Sequence, residues 1–259
     1  MKTITFFNGK GGSGKTTFNV MFASWLSYGL GARTILFDFD SPEFKCSEQR
    51  RRDEKSLQKA DSELRRFLPP GNDSPALWYP VKTLDCPRMD PREKDYILGY
   101  LSSISADYDY MVLDFGAGFS EDSPAVHIIS SGCVDLVAVP VYSDKAVLES
   151  ALRTSLNVKD WGCDPLVFWN RTVRSERPSD GKDRLGVLSE LFHSHGIDVA
   201  GERIGDMTIF RRDSDTWRFI KSTACWPEEN ISLLCPAILP LFEEVKLRLD
   251  SNHEKKSRI

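Results

Sequence analysis

Residues Gly9-Lys10-Gly11-Gly12-Ser13-Gly14-Lys15-Thr16 satisfy the pattern G-x-x-x-x-G-K-[ST] at every fixed position. These residue types suit one task, holding phosphate. Glycines let backbone N–H groups converge on phosphate oxygens without side chains in the way. The helix that opens behind such a loop adds the partial positive charge of its N-terminus. Lys15 is placed to reach β- and γ-phosphates, and the Thr16 hydroxyl to bind Mg²⁺. An apolar run, Thr3–Asn8, precedes the loop and an amphipathic pattern, Lys15–Tyr28, follows it. That is the strand–loop–helix context the chemistry needs.

Two acidic segments follow. Thr34-Ile35-Leu36-Phe37 leads into Asp38-Phe39-Asp40-Ser41-Pro42-Glu43, and Tyr110-Met111-Val112-Leu113 ends in Asp114. Carboxylates at the C-terminal edge of parallel strands face the nucleotide crevice of such a sheet. An apolar strand ending in aspartate is a Walker B signature, whose carboxylate binds Mg²⁺ directly or through water. Gly116 and Gly118 then leave the following loop free to move with a γ-phosphate. Taken without the phosphate loop, Asp38 and Asp40 also fit capping residues before a turn.

The second lysine, Lys10, is not required by a plain phosphate loop. Lys10-Gly11-Gly12-Ser13-Gly14-Lys15-Thr16-Thr17 resembles the deviant Walker A motif, K-G-G-x-G-K-[ST]-[ST], of the ParA/MinD family of ATPases. The resemblance covers Met1 to about Arg248. It is specific over the first 40 residues and around Asp114, and architectural from Cys46 to Met89. It implies ATP and Mg²⁺ as ligands and a homodimer that encloses the nucleotides when ATP is bound. Backbone amides from Gly11 to Thr17 would cradle phosphate. Lys10 would cross to the partner's nucleotide, a trans cation acting as an arginine finger does. Asp38-Phe39-Asp40 is similar to the family's first switch, in which Asp40 would orient the attacking water and Asp38 would lie near the metal and Lys15. Glu43 stands where many partition members have glutamine. Asn170, in Val167-Phe168-Trp169-Asn170-Arg171, would contact adenine, since an amide offers both a donor and an acceptor. A strand-end turn residue is the other reading of Asn170. N-K-x-D, the guanine signature, is absent.

The elements that must position these residues are short apolar runs alternating with longer helical patterns. Strands are expected at Thr3–Asn8, Thr34–Asp38, Leu77–Lys82, Tyr110–Asp114, Leu136–Pro140 and Leu166–Trp169. Helices are expected at Lys15–Tyr28, Cys46–Phe67, Pro91–Ile104, Asp144–Trp161, Arg184–His193 and Leu239–Leu249. Near-continuous apolar strands are covered on both faces. The pattern predicts an α/β fold, a mostly parallel sheet flanked by helices, as in P-loop NTPases of the deviant Walker A subclass. One domain over 1–250 and a frayed polar tail over 251–259 are expected. Glu43 to Arg66 is highly charged; it fits a solvated helix or one that contacts a partner.

Net charge is −4, with 41% apolar and 28% charged residues. Wholesale disorder is excluded, and bulk attraction to nucleic acid is not implied. The N-terminus has no signal-peptide core and reads as the first strand of a cytoplasmic protein. The six cysteines, Cys46, Cys86, Cys133, Cys163, Cys225 and Cys235, form no C-x-x-C pair. Three roles fit an ATPase of this kind. A partition or mobile-element maintenance ATPase would bind DNA without sequence preference, be nucleoid-associated, and work with an adaptor protein that stimulates hydrolysis. By resemblance Arg203, Arg211, Arg212, Arg218 and Lys221 would form its DNA face, although Asp206, Asp213 and Asp215 interleave and a solvated face fits as well. A MinD-like positioning ATPase needs an amphipathic membrane helix, and the tail after Leu249 lacks the apolar face for a stable anchor. A redox relative needs four cluster thiolates, for which Cys133 has no convincing second ligand. His193 and His195, two apart on a helix end, point to different sides and read as polar surface.

Overall fold

A computed structural model describes residues 1–58, 79–173, 183–206 and 235–256. Among these residues, seven parallel strands form one sheet in the order β3-β2-β4-β1-β5-β6-β7. They are β1 Lys2–Phe6, β2 Thr34–Asp38, β3 Val81–Thr83, β4 Tyr110–Asp114, β5 Leu136–Val141, β6 Asp164–Thr172 and β7 Asp198–Gly205. The helices are α1 Lys15–Ser24, α2 Lys45–Gln58, α3 Pro91–Ser103, α4 Pro124–Ser130, α5 Lys145–Asp160, α6 Arg184–His193 and α7 Cys235–Lys256. A π-helical turn, Trp25–Gly29, extends α1. This is the expected α/β architecture.

Alternation along each strand divides the core. Ile4, Phe6, Leu36, Val112, Leu136 and Phe168 face one side, where α1 and α7 cover them. The rings of Phe6, Phe18, Phe22 and Phe242 meet there at centroid distances of 5.1 to 6.5 Å. Phe37, Leu113, Val139 and Trp169 face the other side, beneath α3 to α6. The inner strands are buried on both faces, which is why β4 and β5 read as near-continuous apolar runs.

Several boundaries differ from expectation. At the sheet edge β3 holds Val81–Thr83 rather than Leu77–Lys82, and residues 77 and 78 lie outside the described ones. The part of Cys46–Phe67 after residue 58 lies outside them as well. Helix α4 and strand β7 were not expected. α4 has seven residues, and β7 mixes Asp198, Gly201, Glu202 and Arg203 with its buried Ala200 and Ile204.

The end of the chain is a correction. The first residues of the expected tail, 251–256, are helical, because α7 continues through Lys256, and residues 257–259 lie outside the described ones. Asn252 is buried and donates to the Asp135 carbonyl at 3.2 Å, and His253 meets the Asp135 carboxylate at 3.1 Å. That carboxylate also accepts from the Thr3 N–H at 2.8 Å, so the polar end of α7 is pinned to the bottom of β1 and β5.

Candidate nucleotide site

The phosphate loop joins β1 to α1 at the C-terminal edge of the sheet, with β4 and β5 on either side of β1. Asn8, fully buried, shapes its entry. Its amide donates to the Pro140 carbonyl at 2.9 Å, and its oxygen accepts from the Lys10 N–H at 2.9 Å and the Ser150 hydroxyl at 2.7 Å. Gly12 and Gly14 take φ of +75° and +104°, the left-handed region in which a side chain is strained. The N–H groups of Gly11, Gly12, Ser13, Gly14 and Lys15 have no hydrogen-bond partner among the described residues. Successive free donors at a helix start form an anion-binding nest.

Lys15 is 7% exposed and donates to the Lys10 carbonyl at 3.3 Å. Burial lowers its pKa against the opposing pull of Asp114 and Asp40. No carboxylate lies within ion-pair distance of it among the described residues, and a phosphate in the loop would supply that counter-charge. Lys10 is exposed, and its ammonium has no partner among them either.

Asp38 and Asp114 are register partners at the ends of β2 and β4, and both are fully buried. Burial raises the Asp114 pKa to about 6; the Asn19 hydrogen bond opposes this and the Asp38 charge adds to it. Burial likewise raises Asp38, against hydrogen bonds from Ser47 and Asp40. Two buried carboxylates beside the Thr16 hydroxyl form a hard oxygen set that suits a divalent cation shared with phosphates. No cluster of three acidic, histidine or cysteine ligands occurs among the described residues, and a metal held partly by phosphate does not need one. Magnesium, by its chemistry, therefore fits Thr16 and Asp114, with Asp38 alongside.

Asp40 stands at the start of the loop after β2. Its Oδ2 accepts from Lys45 Nζ at 2.9 Å. Its Oδ1 lies so close over Gly116 that a Cβ there would come within 2.7 Å. The two mobile segments of the sequence reading therefore touch, and between them lies a cleft of about 170 Å³ lined by Phe39, Asp40, Ser41, Gly116, Ala117 and Gly118. The Phe115–Ser120 segment is also tied to the phosphate loop. Gly118 N–H donates to the Gly9 carbonyl at 3.0 Å, and the Phe119 ring covers Gly9, where any Cβ would meet it at 2.4 Å.

Asn170 lies beside the phosphate loop, but its observed partners are protein groups. Its Nδ2 donates to the Ser13 carbonyl at 3.0 Å and its Oδ1 accepts from the Arg171 N–H at 2.8 Å. Arg203 forms a bidentate pair with Asp183, at 2.8 and 2.6 Å. Arg211, Arg212, Arg218 and Lys221 lie outside the described residues. His195 Nδ1 meets the Leu191 carbonyl at 2.8 Å at the polar end of α6. Cys133, half-buried, donates to the Ile128 carbonyl.

Asn19, Lys45 and Cys46 belong to the site but carry no motif. Asn19 follows Lys15 by one helical turn and is fully buried. Its amide bonds Phe6 N–H at 2.9 Å, Phe6 carbonyl at 3.2 Å and Asp114 Oδ1 at 2.7 Å. A polar residue amid Phe18, Val20, Met21 and Phe22 was the one available signal.

The CobQ/CobB/MinD/ParA nucleotide binding domain model matches residues 4–209. No curated protein matches the sequence. Solved structures of the same fold include the septum site-determining protein MinD of Pyrococcus horikoshii, complexed with Mg-ADP. It is 17% identical, with 94% of this chain and 95% of that chain covered and a TM-score of 0.60. A ParA family ATPase of Chlorobium tepidum is 16% identical over 93% and 98%, with a TM-score of 0.56. A plasmid partition protein of Borrelia burgdorferi is 19% identical over 86% and 97%, with a TM-score of 0.53. By the extent of the family match, the chain belongs to the CobQ/CobB/MinD/ParA nucleotide-binding family.

Proposed function

We propose that the protein is a ParA-like, Mg²⁺-dependent ATPase whose ATP-bound homodimer binds DNA without sequence preference and lets go on hydrolysis. Its role would be partition or maintenance of a plasmid, chromosome or mobile element. The observation that carries this reading is Lys10, exposed and without a partner among the described residues, at the mouth of a loop that already has its own lysine, Lys15, underneath. A second cation facing outward has a use when another copy brings a nucleotide to it. Lys15 and the loop N–H groups hold the β- and γ-phosphates, and Asp40 orients the water. Magnesium, when bound, neutralises charge developing on the phosphoryl oxygens; Thr16 and Asp114 are the residues that would hold it. Asn170 steadies the phosphate loop by donating to the Ser13 carbonyl.

With Arg203 engaged by Asp183, the DNA face rests on Arg211, Arg212, Arg218 and Lys221. An adaptor protein would stimulate hydrolysis, and the protein would sit in the cytoplasm, on the nucleoid while ATP is bound. The MinD-like alternative has less support, since Leu241, Phe242, Val245 and Leu249 of α7 are buried in the core and Leu247 alone among its large apolar residues is strongly exposed among the described residues. Binding to random-sequence duplex DNA, followed by fluorescence anisotropy with ATP, ADP or no nucleotide, tests the proposal. Strong binding with ATP alone, weakening steeply with salt, is expected. Equal or absent binding in all three states would overturn the DNA role and turn attention to a protein or membrane partner.

A further inference from the structure

Three consecutive residues at the start of α2 each hold one carboxylate of the site. Lys45 Nζ donates to Asp40 Oδ2 at 2.9 Å, Cys46 Sγ to Asp114 Oδ2 at 3.2 Å, and the Ser47 backbone N–H to Asp38 Oδ2 at 2.9 Å. The three acids come from two strand ends and the loop between β2 and α2. One helical turn gathers them because its N–H groups are free at a helix start and its side chains fan outward. Lys45 is shared, since its ammonium also meets Glu43. Cys46 is 1% exposed and Asp114 fully buried, so this thiol–carboxylate contact is closed to water.

A carboxylate turns easily about its last torsion, so its oxygens stay where donors hold them. Asp114 is held from both sides, by Asn19 on Oδ1 and Cys46 on Oδ2. Asp40 is held by Lys45 on one side and by contact with Gly116 on the other. Phosphoryl transfer is catalysed chiefly by positioning and charge, so a carboxylate that wanders loses rate even when the nucleotide still binds.

We propose that the first turn of α2, Lys45-Cys46-Ser47, is a positioning element for ATP hydrolysis: it sets the carboxylates of Asp40, Asp114 and Asp38, and it links them mechanically to the charged helix α2. The inference rests on the ATPase reading above. Lys45 acts through Asp40 on the water, and Cys46 acts through Asp114 on the metal site.

The test compares Lys45→Met, Lys45→Arg, Cys46→Ala and Cys46→Ser in the full chain. ATP turnover, Mg²⁺-dependent binding of a fluorescent ATP analogue, and hydrogen exchange over residues 45–58 without nucleotide are measured. Lys45→Met should lower kcat by about 5- to 20-fold and leave KM for ATP within about twofold, while Lys45→Arg keeps most of the rate. Cys46→Ala should raise the Mg²⁺ needed for half-maximal analogue binding by about 3- to 10-fold. It should also speed exchange in the first turn of α2. Cys46→Ser, which keeps a donor, should stay near wild type in both. An unchanged or raised kcat in Lys45→Met would overturn the role of Lys45. Equal behaviour of Cys46→Ala and Cys46→Ser would reduce Cys46 to a volume in the core. An active wild type with unmoved variants brings down the positioning element alone. A wild type that neither binds nor hydrolyses ATP brings down the ATPase reading, and the exchange measurement still reports on the clamp.

Discussion

Asn19 does work that a strand neighbour does elsewhere in the sheet. The pairing of β1 with β4 runs from Lys2↔Tyr110 to Ile4↔Val112. Beyond it the Phe6 N–H and carbonyl have no strand to meet, and the Asn19 amide satisfies both while holding Asp114. Asn19→Ala would leave these buried groups without partners. It should destabilise the protein by about 2–4 kcal/mol, read from the urea midpoint. A loss below about 0.5 kcal/mol would mean that water or a neighbour replaces the amide. Asn19→Asp should cost more, since it would bring a second carboxylate to the 2.7 Å contact with Asp114. The phosphate loop was legible in the sequence because its chemistry is written in one unbroken run. Asn19 was not, because its partner Asp114 is 95 positions away and only folding brings them together. Lys45 and Cys46 were hidden likewise, inside a segment whose charge drew attention to its surface.

At the scale of elements, strands covered on both faces announced themselves, since β2, β4 and β5 each carry at least three consecutive apolar residues. β7 did not, because among the described residues only one of its flanks is paired and its exposed positions take Glu202 and Gly201. What holds this edge is polar. Asp183 caps α6 by accepting from the Gly186 N–H at 2.9 Å and binds Arg203 of β7 through two hydrogen bonds. The Arg203 guanidinium, with the Gly186 N–H, depresses the Asp183 pKa from its ordinary value to about 2. A depressed carboxylate stabilises the fold above its unfolded pKa, near 3.9, and loses that contribution as pH falls through the folded value. Between about pH 4 and pH 2 the wild type should therefore lose more stability than Asp183→Asn, which keeps a capping side chain but not the charge. Urea midpoints at pH 4, 3 and 2 measure this. Parallel curves for the two proteins would show that the pair contributes nothing to the edge. The same pair explains why the sequence reading of Arg203 as a surface cation for DNA meets a residue already bound within its own fold.

For the molecule as a whole, the groups that could act on a γ-phosphate share the C-terminal edge of the sheet. Lys15 lies under the loop, Asp40 and Gly116 border one cleft, and Lys10 stands outside with no partner among the described residues. Lys15 already supplies the cation within the chain; Lys10, projecting from the same loop into solvent, is placed to serve a facing copy. If it does, turnover must depend on encounters between copies. ATP turnover per molecule of wild type should rise with protein concentration and level off once the dimer forms. Lys10→Ala should still bind ATP with wild-type affinity, yet turn over at a low rate that does not rise with concentration. A drop on the order of 10³- to 10⁵-fold is the scale of a lost trans cation. Asp40→Ala should separate the steps differently, binding ATP and accumulating as dimer while hydrolysing poorly. Lys15→Ala, losing phosphate contact itself, should fail at binding. Sedimentation velocity with ATP resolves dimer from monomer for each variant, and a phosphate-release assay gives the rate. A Lys10→Ala protein that turns over like wild type at every concentration would remove the second lysine from the mechanism. The site would then be complete within one chain, and the outward-facing charge would need another partner.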